Sequence, residues 1–84
     1  MSEVIDESVS VLFLSNHLKH TTSPSVLYWR GRRYAIVKVG LHHTQHDGRV
    51  LCHIFSVTDG TTAFKLRLDT ETLGWKLLEI EAGN

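Results

Sequence analysis

Turn-forming residues recur along this chain at intervals too short for helices, and that spacing constrains the fold more than any other feature. Ser15-Asn16, Ser23-Pro24, Arg30-Gly31, Asp47-Gly48, Asp59-Gly60 and Leu73-Gly74 divide the sequence into runs rich in Val, Ile, Leu, Tyr and Phe. Short apolar runs between Asp-Gly marks are the pattern of antiparallel hairpins, whose tight turns need residues that accept positive φ. Strands are predicted near 8–14, 25–30, 33–43, 49–58, 61–69 and 74–80, with Ser15 to Ser23 as one long polar loop. The expected fold is all-β: an antiparallel meander of five or six strands, curled into a small or partly open barrel.

Hairpin loop length decides which side chains share a face, and two registers satisfy the turn residues. With Asp47-Gly48 as a two-residue type I′ loop, Ala35, Val37, Val39 and Leu41 align with Val50, Cys52 and Ile54, and a three-residue Thr58-Asp59-Gly60 loop adds Phe64, Leu66 and Leu68. With the loop lengths exchanged, the same outer strands face Leu51, His53, Phe55 and Val57. Val37, Val39, Leu41, Phe64, Leu66 and Leu68 are core in either case. Both faces of strand 49–58 are apolar, so its second face needs cover from the N-terminal segment, from barrel closure or from a homodimer partner.

A chain of 84 residues forms a single domain, 1–84, and the acidic residues 1–7 are expected as a flexible N-terminus. Size scaling gives a folded surface of about 5,000 Å² against about 14,000 Å² unfolded, which leaves a modest core. The lone Cys52 excludes an internal disulfide, so packing, or packing assisted by self-association, must supply the stability. A hydrophobic fraction of 42% with one proline describes a folded globule. The longest apolar run, Val9 to Leu14, is interrupted by Ser10 and far too short to span a bilayer as a helix, so no membrane role is expected. The acidic start lacks the basic region of a secretory signal, and a cytoplasmic location is expected.

The zero net charge conceals blocks. Residues 1–7 hold three acids and no base; residues 8–46 hold Lys19, Arg30, Arg32, Arg33 and Lys38 with no acid; residues 47–84 hold six acids and four bases. If the carboxylate-free block shares a face it creates a positive potential; if the acidic C-terminal strands pair alongside, the potential is cancelled. Cancellation is the expected outcome.

Six histidines invite a metal reading, with His42 and His53 the best-placed candidates because the type I′ register sets them directly opposite. Two ligands make no closed site, His43 points to the other face from His42, and His46 lies roughly 13 Å from His42 along an extended strand. His17 and His20 belong to the polar loop. Solvated or hydrogen-bonded imidazoles are the expected state, with no metal and no cofactor. Cys52 faces His43 in the same register, yet no third orienting group or oxyanion loop accompanies them, and a buried structural thiol is expected. With no nucleophile elbow, paired carboxylates or phosphate loop, the chain is not expected to be an enzyme.

The densest feature is Tyr28-Trp29-Arg30-Gly31-Arg32-Arg33-Tyr34, three aromatics and three arginines around a turn glycine. Aromatics that stack on bases beside guanidiniums that neutralise phosphates are the means of single-stranded nucleic-acid binding, for which Trp29, Arg30, Arg32, Arg33 and Lys38 are the candidates. The competing reading buries Trp29 and Tyr34 in the core and leaves the arginines to solvate a tight turn.

The order Leu27-x-Trp29-x-Gly31-Arg32-x-Tyr34, an apolar strand to Val39, Gly60-x-x-x-Phe64-x-Leu66-x-x-Asp69 and Gly74-Trp75-x-Leu77 resembles a small bacterial family of unknown function, the domain-of-unknown-function family six-five-zero-four, over about residues 25–80. Members of that family place a tryptophan near the loop where this chain has His42-His43, so no role of that tryptophan carries over. The resemblance implies an all-β module, a slight tilt toward nucleic-acid work, and no activity, cofactor or catalytic residue. The sequence therefore leads to a non-catalytic β interaction module acting through a surface, with a protein partner or a second copy as its target, and to a nucleic-acid-binding small barrel as the alternative.

Overall fold

A computed structural model describes residues 2–16 and 21–82. Its strands are β1 (Ser2–Asn16), β2 (Thr21–Trp29), β3 (Arg32–Ala35), β4 (Lys38–Asp47), β5 (Val50–Thr58), β6 (Thr62–Asp69) and β7 (Trp75–Ala82). All seven form one antiparallel sheet in the order β3-β2-β1-β7-β6-β5-β4, with no helix among the described residues. The all-β meander expected from the turn spacing is the fold.

The sheet is curled but not closed into a barrel. Its edges, β3 and β4, are consecutive in the chain: the Ile36 N–H donates to the Ser25 carbonyl beside β2 (2.9 Å), and the next amide, Val37 N–H, donates to the Thr58 carbonyl of β5 (2.9 Å). One peptide thus bridges the two ends of the sheet, and the run expected as a single strand over 33–43 becomes two. The fifteen-residue β1 serves both halves, since Ser2–Val9 pairs with β7 and Ser10–Asn16 with β2. The acidic segment expected as a flexible terminus is the first half of this strand. Likewise, the supposed long loop from Ser15 to Ser23 is mostly ladder, with Asn16 opposite Thr21. His17, Lys19 and His20 lie outside the described residues.

Each Asp-Gly turn sits further along than the sequence suggested. Asp47 pairs with Val50, so the two-residue loop is Gly48-Arg49, with the positive φ at Gly48 that a II′ turn requires in its first position. β5 ends at Thr58, and Asp59 opens the loop, its carboxylate accepting the N–H groups of Thr61 (2.9 Å) and Thr62 (2.8 Å). Only Arg30-Gly31 falls where expected: positive φ at both residues gives the I′ pattern, with Trp29 opposite Arg32.

Cross-strand rows place the core. Val39–Val57–Phe64–Ile80, His42–Phe55–Leu66–Leu77–Glu7 and Thr44–His53–Leu68–Trp75–Val9 run across the inner face from β4 toward β1. Leu27, Phe55, Val57, Phe64, Leu66 and Leu77 form the buried cluster, with Val9, Val11, Trp29, Tyr34, Val39 and Trp75 packed against it. This is the face set of the exchanged-loop register. Two of the expected core residues are outside it. A bulge between Val39 and Leu41 inverts the alternation of β4 and turns Leu41 outward, 60% exposed, while Val37 lies on the sheet-to-sheet link, 68% exposed. Cys52 and Ile54, on the other face of β5, are also buried. Ile54 lies between His43 and Arg67, and Cys52 between Gln45 and Asp69, so side chains of the flanking strands shield that face. The argument for a dimer built on β5 is thereby removed.

Candidate functional site

Three places carry exposed or convergent chemistry, and the aromatic-arginine hairpin is the first. Its residues do not share a surface. Trp29 turns inward, half-buried, with its ring 6.3 Å from Tyr34, and its indole Nε1–H donates to Glu7 Oε1 (3.1 Å). Arg30 lies over the Trp29 ring (4.7 Å to the centroid) and holds the same carboxylate in a fork, Nη2 donating to Oε2 (2.6 Å) and Nε to Oε1 (3.3 Å). The Arg30 guanidinium, then the indole N–H, hold the Glu7 carboxyl below the usual range, and Glu7 in turn raises Arg30. Nothing in the sequence marked Glu7, because its partner lies 23 residues away. Its place opposite Leu77, in a core row, explains why a carboxylate at that position needs the indole and guanidinium. Arg33 points to the outer face opposite Tyr28; Arg32 lies opposite Trp29; Lys38 begins β4 at the other end of the sheet, opposite Thr58.

The second place is the His42–His53 pair. Because the turn is Gly48-Arg49, His42 lies opposite Phe55 rather than opposite His53, yet the two imidazoles meet diagonally, His42 Nε2 and His53 Nδ1 sharing one hydrogen bond of 2.8 Å. His42 stacks flat on Phe55, 4.3 Å between centroids at 4°. With Phe13 and Leu68 they line an open cleft of about 280 Å³, backed by Trp75, which stands 5.6 Å from both Phe13 and Phe55. No third His, Cys, Asp or Glu joins the pair among the described residues. Cys52 faces Gln45, and His43 faces Ile54, so the Cys–His juxtaposition of the type I′ register does not form.

The third place, missed by sequence reasoning, is the outer face of β1–β2–β3. Its rows are Ser10–Tyr28–Arg33 and Leu12–Val26–Ala35. Leu12 (46%), Leu14 (53%) and Tyr28 (43%) are exposed there, around a buried Val26. The signal was the near-continuous apolar run Val9 to Leu14: Val9, Val11 and Phe13 serve the inner side, and the alternate leucines have nowhere to go but out.

Charge separates this face from the rest. Ion pairs on the outer side join β4 to β6, β6 to β7 and β7 to β1: Asp47–Arg67, Lys65–Glu79 and Lys76–Asp6, at 3.5–3.7 Å. Of the six acids in residues 47–84, Asp47 and Glu79 form ion pairs, both with bases of β6, and among the described residues none pairs with the basic block of residues 8–46, contrary to the expectation of cancellation. Of that block only Arg30 is paired; Arg32, Arg33 and Lys38 are exposed and make no ion pair among the described residues.

No family model, curated protein or solved structure matches this chain. The residues behind the family resemblance, Leu27, Trp29, Tyr34, Phe64, Leu66, Trp75 and Leu77, all lie in or against the core, so that pattern describes packing.

Proposed function

We propose that this chain is a non-catalytic binding module that acts through the outer face of β1–β2–β3. One observation carries the reading: the sheet's outer side is ion-paired from β4 through β6 and β7 to the start of β1, while over the second half of β1, β2 and β3 it presents Leu12, Leu14 and Tyr28 to solvent. A contiguous apolar patch with a polar rim is the composition of a docking surface. The free, buried thiol of Cys52 supports a cytoplasmic setting. The apolar, anionic dye anilinonaphthalene sulfonate tests the surface directly. It should bind the folded protein, and Leu12→Ser with Tyr28→Ser should abolish binding while Leu41→Ser, also exposed but on β4, leaves it intact. A folded wild type that ignores the dye would end this reading.

Nucleic-acid binding stands as a second reading because Tyr28, not Trp29, is the exposed aromatic, and Arg33 lies directly across from it. Binding of an oligothymidylate that weakens steeply with salt and is lost in Tyr28→Ser would favour it.

A further inference from the structure

We infer that the partner of the β1–β2–β3 face is an acidic, amphipathic segment of another protein, whose apolar side chains cover Leu12, Leu14 and Tyr28 while its carboxylates meet Arg33. The inference rests on the docking reading above and adds the partner's chemistry.

Charge complementarity selects this occupant. Arg33 stands in the same cross-strand row as Tyr28, so a cation borders the apolar patch from within the face. Six of the nine carboxylates are engaged elsewhere: Glu7 with Arg30 and Trp29, Asp6 with Lys76, Asp47 with Arg67, Glu79 with Lys65, and Asp59 and Asp69 in the turns they close. β2 and β3 carry no acid at all, and neither does β1 from Ser8 onward. A segment that presents acids to Arg33 finds no like charge on the face.

The same placement disfavours the other occupants. A second copy docking face to face about a two-fold axis would bring Arg33 toward Arg33 and contribute no carboxylate from the face itself. Nucleic acid would use Arg33 and Tyr28 but leave Leu12, Leu14 and the row Leu12–Val26–Ala35 without a chemical counterpart. Aliphatic side chains at the centre of the face and a cation, Arg33, at its border are the arrangement of a protein interface.

Amide chemical shifts of the full chain, isotope-labelled, provide the test, with four probes: a twelve-residue peptide alternating leucine with glutamate, the same peptide with lysine for glutamate, an oligothymidylate of twenty nucleotides, and the protein itself at rising concentration. The glutamate peptide should shift the amides around Leu12, Tyr28 and Arg33, with a dissociation constant on the order of 10⁻⁵ to 10⁻³ M, as expected of a small transient interface. The lysine peptide should bind at least about tenfold more weakly. Arg33→Glu should reverse that preference, and Leu12→Ser should weaken both peptides; because Arg33 is exposed, its reversal stays informative even if Leu12→Ser perturbs the fold. Equal binding of the two peptides, or shifts confined to the His42–His53 cleft, would overturn the proposal. Stronger binding of the oligothymidylate at the same amides would overturn it in favour of nucleic acid, and concentration-dependent shifts abolished by Leu12→Ser would overturn it in favour of a second copy. In those last two cases the dye result stands and the face remains the binding surface; loss of dye binding by the wild type would remove the face itself.

Discussion

Two leucines that look alike in the sequence should behave in opposite ways when truncated. Leu66 and Leu41 both sit at alternating apolar positions of predicted strands, yet Leu66 is fully buried between Phe55 and Leu77, whereas Leu41 lies beyond the β4 bulge, opposite Ser56 and facing solvent. Truncating a fully buried leucine removes its transfer free energy and leaves a cavity, together about 2–5 kcal/mol. For a domain of 84 residues, stability of 0.05–0.15 kcal/mol per residue amounts to roughly 4–13 kcal/mol, so Leu66→Ala removes a large fraction and at the low end unfolds the chain. A surface truncation with no cap, turn or partner changes stability by about 0.5 kcal/mol or less. With a urea slope of about 1 kcal/mol/M, the midpoint should fall by about 2–5 M in Leu66→Ala and by about half a molar or less in Leu41→Ala. Urea unfolding followed by far-ultraviolet circular dichroism and by Trp75 fluorescence reads both. Equal losses in the two variants would show that Leu41 is core, that the bulge is absent and that His42 is not beside Phe55.

Other consequences follow from the same geometry. Glu7→Ala should leave the Trp29 indole N–H unpaired at the edge of the core, seen as an upfield shift and faster solvent exchange of that proton, while the Trp75 indole is unchanged; an unmoved Trp29 signal would mean the hydrogen bond does not form. His42→Ala removes the ring stacked on Phe55 and should cost about 0.5–1.5 kcal/mol, the value of an aromatic pair, read as a lower urea midpoint. On acidification, Asp59, held low chiefly by the Thr61 N–H, Asp69, held low chiefly by the Thr72 N–H, and Glu7, held low chiefly by Arg30, all act with one sign. Each has a folded-state pKa below its unfolded value, so its contribution is complete above about pH 5 and is lost as pH falls through the depressed folded values, below the usual carboxylate range near 4. The urea midpoint should therefore be insensitive to these groups at neutral pH and decline below about pH 4, and Asp59→Asn should flatten that decline.

The turn glycines made the strand order legible, because only a few residues accept positive φ, but they located the turns one residue too early. Asp47 ends its ladder opposite Val50 and Gly48 opens that loop, while the β5–β6 ladder ends at Thr58 opposite Ala63 and Asp59 opens the loop, so the register moves while the parity of the core face on β5 and β6 survives. The β4 bulge was harder to see, because Val37, Val39 and Leu41 alternate without interruption through it. Gly40, a lone glycine inside a strand pattern, was the one available signal. The split of the 33–43 run at Ile36-Val37 left no local mark at all: it follows from the curl of the whole sheet, which brings β2 and β5 to either side of one peptide.

The histidine pair and the aromatic-arginine hairpin show how proximity and chemistry separate. Sequence reasoning brought His42 and His53 together through a register that does not form, and the register set by the Gly48-Arg49 turn lets them meet by a diagonal route that also seats His42 on Phe55. At the hairpin, the richest cluster of aromatics and cations turns inward, because alternation sends Trp29 toward the core and a carboxylate from a distant strand takes both the indole and Arg30. Those contacts consume the most conspicuous candidates and leave Tyr28 and Arg33, the residues between them in the alternation, as the ones that face outward. A period of two therefore decides which half of a dense motif supports the fold and which half is left to bind, and at this hairpin the less conspicuous half faces the solvent.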